Sequence, residues 1–207
     1  MNGVGLNGQA SEVVSARRAM RGDEIRSRLK LALLTNGMLG DNALVIEELG
    51  LRHGAARIDL ALVDGLLHGF EIKGQRDSLV RLRHQASVYN SVFDRVTLVT
   101  APKHLTRAVR DVPAWWGLVV ASERDGAVAF EFIRLAGLNR RVDPVAQAKL
   151  LWRAEVLSLL AELGLGEGAA RKPRRELYEL LAGSIGHARR RAKIHELLQS
   201  RTGWRSA

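Results

Sequence analysis

Arg57-Ile-Asp-Leu-Ala-Leu-Val-Asp-Gly-Leu-Leu-His-Gly-Phe-Glu-Ile-Lys73 is the stretch on which the fold turns. An apolar run, Arg57–Val63, meets Asp64-Gly65 and then a second run, Leu67–Lys73. Two β-rich runs around a short Asp-Gly break read as a β-hairpin. Asp59 lies on the first strand, Glu71 and Lys73 on the second. Two carboxylates that converge in a sheet make a hard-oxygen site suited to Mg²⁺ or Mn²⁺. Lys73 lies two residues past Glu71 and shares its face of the strand, where an ammonium can orient water or neutralise a phosphate. Such parts suit metal-dependent phosphodiester hydrolysis.

The site sets a condition on the turn. A two-residue hairpin at Asp64-Gly65 would pair Val63 with Leu66 and set Asp59 opposite Phe70, leaving Glu71 and Lys73 on the far side of the sheet. One more residue is needed. The simplest form is a three-residue loop, Val63-Asp64-Gly65, with Gly65 left-handed and a bulge. Leu62 then pairs with Leu66 and Asp59 with Gly69. Leu60, Leu62, Phe70 and Ile72 line the other, core-packed face.

Outward from the hairpin, Asp77-Ser78 reads as an N-cap of a helix Ser78–Phe93, with Leu82, Ala86, Tyr89 and Phe93 as its apolar stripe. Gln85 and Tyr89, four apart, share a helical face. Upstream, residues 22–35 form a helix carrying Ile25, Leu29 and Leu33 inward, with Ala32 beside them and Glu24 near its start. Strands are expected at Ala43–Leu49, Arg95–Thr100, Leu118–Ala121 and Val128–Ile133, and a short helix at Leu105–Val109. Arg95–Thr100 is the β-branched apolar type buried at a sheet centre.

The spacing Asp59-x11-Glu71-x-Lys73 resembles that of the PD-(D/E)xK, or restriction-endonuclease-like, nuclease superfamily. Ile58 stands where the family's name has proline. Gln85-x3-Tyr89 resembles the motif of the superfamily's RecB-like branch, and Glu24 matches a glutamate that members place on a first helix beside the metal. Ile46-Glu-Glu-Leu-Gly-Leu51, the Glu-Ile-Lys triplet and Pro113-Ala-Trp-Trp-Gly117 together resemble a small bacterial and phage-associated branch. The resemblance covers most of residues 22–135. It implies an α/β fold with an αβββαβ core and a mixed sheet flanked by helices. It also implies a metal site of Asp59, Glu71, the Ile72 carbonyl and Glu24, with Lys73 orienting water and Gln85 and Tyr89 holding the substrate strand or Lys73. The implied reaction is in-line hydrolysis of DNA, leaving 5′-phosphate and 3′-hydroxyl ends, in repair, phage or defence biology.

Blander readings stand beside these. Glu-x-Lys also fits a solvated salt-bridging strand, Tyr89 a core aromatic with Gln85 at the boundary, and Glu24 the ordinary preference of acids for helix N-termini. Glu47 and Glu48 point to opposite faces of a regular strand, so one at most approaches the site, and Glu48 is the accessory candidate. His53 falls in a turn, His68 faces away from Glu71, and His84 points elsewhere. A DNA-binding protein that keeps the fold without catalysis, or a subunit dependent on a protein partner or on homodimerisation, is the alternative.

At 207 residues with 46% hydrophobic content, the chain suits one α/β domain, residues 21–138, plus an appendage. The absence of cysteine excludes a disulfide scaffold and a thiol nucleophile. Residues 1–20 lack an apolar h-region and read as a flexible lead-in, and no 18-residue apolar run suggests a membrane span, so a cytoplasmic protein is expected. The formal charge is +10. Residues 1–138 hold 18 Lys/Arg against 15 Asp/Glu (+3), and residues 139–207 hold 14 against 7 (+7). A basic excess concentrated in one third of a chain suits a polyanion, here nucleic acid. That third reads as three helices: Pro144 to about Leu163, Lys172 to about Ala182, and Ile185–Leu198 with Arg189-Arg-Arg191. The last two would form a helix-turn-helix-like unit touching phosphates or, equally open, a plain cap on the core.

Overall fold

The computed structural model describes residues 20–35 and 39–201. The expected lead-in, residues 1–19, lies outside them, while Met20 is buried and belongs to the core. The first helix, α1 (Gly22–Thr35), is followed by β1 (Leu44–Leu51), β2 (Ala56–Asp64) and β3 (Leu66–Lys73). Then come α2 (Leu82–Val92), β4 (Arg95–Thr100), α3 (Leu105–Asp111), β5 (Gly117–Arg124) and β6 (Ala127–Arg134). The six strands lie in one sheet in sequential order. β1, β2 and β3 form an antiparallel meander, β4 and β5 add in parallel, and β6 returns antiparallel. The expected αβββαβ core and mixed sheet are therefore present.

Parallel strands require a crossover, and α2 supplies the one between β3 and β4. Its stripe behaves as the periodicity requires, with Leu82, Ala86, Tyr89 and Phe93 all buried. Its start does not. The helix begins at Leu82 rather than Ser78, because the residues read as caps serve a tighter turn. Asp77 Oδ2 accepts from the Gly74 N–H at 2.7 Å and Ser78 Oγ from the Val80 N–H at 3.2 Å. β4 spans the expected six residues, five of them buried.

Two apolar layers sandwich the sheet. On one side Ile25 and Leu29 of α1 meet Leu60, Leu62, Phe70 and Ile72. Ala32, expected beside them, is exposed instead. On the other, α2 and the C-terminal helices share one core with Ile46, Ile58, Ala61, Val63 and Leu67. Those helices are α4 (Pro144–Ala148), α5 (Arg153–Glu162), α6 (Arg174–Ser184) and α7 (His187–Ser200). The long helix expected from Pro144 is broken at Lys149–Trp152, where Leu150 and Leu151 turn into the core and Glu155 accepts from the Trp152 N–H at 2.6 Å. Residues 139–201 thus form a helical cap whose apolar side chains are continuous with the core beneath the sheet. Arg190, one of the three arginines read as a phosphate contact, is buried and donates to the Ile185 carbonyl at 3.2 Å. Among the described residues no helix is long and apolar enough to cross a membrane.

Candidate functional site

The hairpin meets the condition set by the site, by a different register. Val63 opposes Leu67 and Asp64 opposes Leu66 about Gly65, whose φ is 63°. The expected pairs, Leu62 with Leu66 and Asp59 with Gly69, do not form. The observed ladder is shifted from them by two residues. A shift of two preserves side-chain parity, so Asp59 comes to the level of Glu71 rather than diagonal to it. Gly69 allows the close packing beneath: a Cβ there would lie 2.4 Å from Ile58 Cδ1.

The ladder between β2 and β3 ends at Leu60–Phe70, and there the strands part. On the other side of β2, pairing with β1 skips from Glu47–Leu60 to Leu49–Ile58. Glu48, in the gap, has φ 55°, a left-handed conformation uncommon for a residue with a side chain. The irregularity resets which face each residue meets, since Ile58 and Leu60 enter opposite cores. Asp59 sits at the reset point and turns into the fork, where its Oδ2 accepts from the Ile72 N–H at 2.7 Å. Within a strand, the N–H and C=O of one residue point to the same edge. The Ile72 carbonyl is therefore directed into the same fork.

Glu71 and Lys73 are both buried, and they pair at 2.6 Å. Gln85 clamps the pair from α2: its Nε2 donates to Glu71 Oε1 at 2.7 Å, and its Oε1 accepts from Lys73 Nζ at 3.1 Å. The Tyr89 hydroxyl lies 2.6 Å from Glu71 Oε2 and 2.8 Å from the Arg57 carbonyl oxygen. With one proton it serves one acceptor at a time. Tyr89 is at once the core aromatic and the brace of Glu71, and burial, reinforced by Glu71, pushes its phenol far above the usual range. Its ring stacks 6.2 Å from buried Trp116, whose indole N–H donates to Asn90 at 2.8 Å. The Trp-Trp pair noted in the sequence thus supports Tyr89 from below, a role that its composition did not disclose.

Asp59 is the perturbed acid. Burial first, then the nearby Glu71 charge, pushes its carboxyl up to about 6, against the pull of the Ile72 N–H, Lys73 and Arg26. Its Oδ1 takes no hydrogen bond among the described residues. The fork opens into a cleft of about 680 Å³ lined by Asp59, Glu71, Ile72, Lys73 and Gln85.

Other expectations are redistributed. From α1 it is Gly22, Asp23 and Arg26 that line the cleft; Glu24, half-buried, is not among the lining residues. Glu48 does line it, paired to both Arg26 and Arg57. Glu47 pairs with Lys30 at 2.5 Å. Both glutamates therefore pair with α1, contrary to strict alternation, because of the left-handed turn at Glu48. His84, expected to point elsewhere, is exposed at the cleft wall. His68 faces away from the site, 2.9 Å from Thr97 Oγ1 and stacked on Phe70, and burial with Arg95 nearby lowers it to about 3.

Among the described residues no group of three or more His, Asp or Glu side chains is placed to hold a metal. The side-chain donors at the fork are the pair Asp59 and Glu71, with the Ile72 carbonyl beside them. In chemical character the set is one of hard oxygen donors, two carboxylates and a backbone carbonyl, the type that divalent cations such as Mg²⁺ prefer.

Protein cII of Enterobacteria phage P4 is 31% identical to this chain over 166 residues, covering 80% of this chain and 62% of the relative. The chain thus spans less than two thirds of that relative's length. A solved structure, a protein of unknown function from Silicibacter pomeroyi, is 18% identical and covers 73% of this chain and 88% of its own, with a TM-score of 0.43. The sequence profile of the Bacteriophage P4 protein cII family matches residues 17–206, nearly the whole chain, and the chain belongs to that family.

Proposed function

We propose that this chain is a metal-dependent deoxyribonuclease of the PD-(D/E)xK type, acting on DNA in the cytoplasm. The observation that carries the reading is the convergence of Asp59, Glu71 and Lys73 where β2 and β3 part, with Gln85 and Tyr89 bracing the last two. Asp59, Glu71 and the Ile72 carbonyl would hold Mg²⁺ or Mn²⁺, which when bound stabilises charge on the phosphate and lowers the pKa of a water. Glu24 drops out of that set. Lys73 is aimed by Gln85 and has one proton left for the cleft, with which it would orient the attacking water. Tyr89 is too buried to touch a substrate strand and acts by fixing Glu71. Arg81, exposed on the cleft wall, is placed to meet a phosphate.

One observation favours a second reading, a DNA-binding protein that keeps the fold without catalysis. Glu71 is already given hydrogen bonds by Lys73, Gln85 and Tyr89, so only one of its roughly four acceptor sites, on Oε2, is left for a cation. Incubation with circular single-stranded and duplex DNA in Mg²⁺, Mn²⁺ or EDTA decides between the two. The nuclease reading expects metal-dependent nicking that Asp59→Ala and Lys73→Ala abolish. Inertness with every substrate and metal, or cleavage that survives both substitutions, overturns it.

A further inference from the structure

A second cleft, of about 830 Å³, adjoins the first and shares Glu48, Gly50, Gly54 and Arg57 with it. Its outer wall comes from the C-terminal cap, through Lys149, Trp152, Arg153 and Arg174. The charge there is uncommitted. Lys149 and Arg174 make no ion pair among the described residues, and Arg153 donates to the carbonyls of Lys172 and Ala170, at 3.0 and 2.7 Å, rather than to an acid. The two carboxylates of the cleft, Glu47 and Glu48, are already paired to Lys30 and Arg26. Trp152 is 51% exposed at the break between α4 and α5. Arg201 holds one face of its ring, 4.4 Å from the centroid, and is itself fixed by Glu155. A large aromatic kept rigid and half in water, among unneutralised cations, is poorly explained by folding alone.

We propose that this second cleft is a track for single-stranded DNA leading to the fork, with Trp152 stacking an unpaired base and Lys149 and Arg174 holding phosphates. A cationic groove with an aromatic platform is the general form of a single-strand site, because every base has a π-face. Duplex DNA fits the proposal poorly: its bases are stacked on one another inside the helix and offer no free face to the Trp152 ring in the cleft wall. The link to cleavage rests on the nuclease reading; the binding claim does not.

The test is fluorescence anisotropy with labelled oligothymidylate and with a duplex of equal length, in EDTA so that nothing is cleaved. Trp152→Leu should weaken single-strand binding about tenfold or more, as expected for loss of one stacked base, while Trp152→Phe keeps most of it. Wild-type protein should bind the duplex more weakly, and Trp152→Leu should not change that. The double substitution Lys149→Glu with Arg174→Glu, both away from the fork, should lower the salt slope for the single strand by about 1.4. It decides the matter if Trp152→Leu proves misfolded by circular dichroism. Single-strand affinity that is unchanged in Trp152→Leu, or a salt slope unmoved by the double substitution, overturns the track. Failure of cleavage in the earlier assay, with Trp152-dependent binding intact, removes the nuclease reading and leaves the track standing.

Discussion

Replacing Asp59 by asparagine should stabilise the protein above pH 6 and leave it nearly unchanged below pH 4. The carboxyl is raised from 3.8 to about 6, roughly two units, and each unit is worth about 1.4 kcal/mol between protonation states. The penalty for holding Asp59 ionised in the fold is therefore about 3 kcal/mol at neutral pH. Between about pH 4 and pH 6 the native state keeps a proton that the unfolded chain has released. The contribution of this group to stability thus falls as pH rises through that window and stays low above it. Asparagine has no proton to lose, and its carbonyl still accepts the Ile72 N–H, so the gain at pH 8 is about 1–3 kcal/mol. For a chain of this size that corresponds to roughly 2–12 °C in Tm. Urea unfolding in EDTA at pH steps from 4 to 8 measures it directly. A gap between variant and wild type that stays constant with pH would falsify the account of Asp59, as would an asparagine variant that is less stable at pH 8 with the same m-value. Mn²⁺ then gives the complementary readout. Wild type should gain about 2.7 kcal/mol at a hundred times the Kd, and the variant much less.

Gly69→Ala should cost about 1–3 kcal/mol through overpacking, since its Cβ would lie 2.4 Å from Ile58 Cδ1 and 3.1 Å from the Phe93 ring. Urea midpoints measure it, and recovery in Gly69→Ala with Ile58→Val identifies the clash. Tyr89→Phe removes the one proton shared between buried Glu71 Oε2 and the part-buried Arg57 carbonyl, at a cost of about 1–3 kcal/mol; an unchanged midpoint would mean that water replaces the hydroxyl. A chain ending at residue 138 should show no cooperative unfolding and no near-ultraviolet circular dichroism, because Leu150, Leu151, Val156, Leu160, Leu177 and Ile194 belong to the same core as the sheet. A folded fragment with sharp tertiary signals would refute that.

The fold was largely legible because its signals are strong and local. The β-branched run Arg95–Thr100 cannot be amphipathic and reads as a central strand, and the 4-3-4 spacing of Leu82, Ala86, Tyr89 and Phe93 has one helical face. The boundary errors have two causes. Asp77 and Ser78 have capping side chains, but a side chain that satisfies a nearby turn at Gly74 is unavailable to a helix, and spacing does not reveal which it will choose. The break at Lys149–Trp152 was hidden for another reason: Leu150, Leu151 and Leu157 continue a helical stripe whether or not the backbone does. Of the site, Asp59, Glu71, Lys73 and Gln85 were visible as a pattern of residue types. From α1 it is Asp23 and Arg26, on either side of Glu24 in sequence, that line the cleft, because the rotation of a helix on its sheet is set by packing and not by residue spacing. That Trp152, Lys149 and Arg174 line one cleft was not legible, because they come together only through the packing of α4 and α6.

The left-handed Glu48 explains why the site exists at all. A regular β1–β2–β3 meander alternates strictly, and would send Asp59 to one face at a fixed interval from Leu60 and Leu62. Here Ile58 and Leu60 enter opposite cores, so the strand has turned over between them, with Asp59 as the residue caught in the turn. That frees Ile72's polar backbone from the ladder, and a buried N–H without a strand partner needs an acceptor. Asp59 supplies it. The same bond that repairs the sheet therefore fixes a carboxylate against Glu71, at the expense of an unfavourable φ, a cost of about 1–3 kcal/mol. Arg26 and Arg57 hold Glu48 in that conformation from both sides. Strain kept in place by two arginines thus stands beside a carboxyl that burial first, and then the Glu71 charge, holds up to about 6.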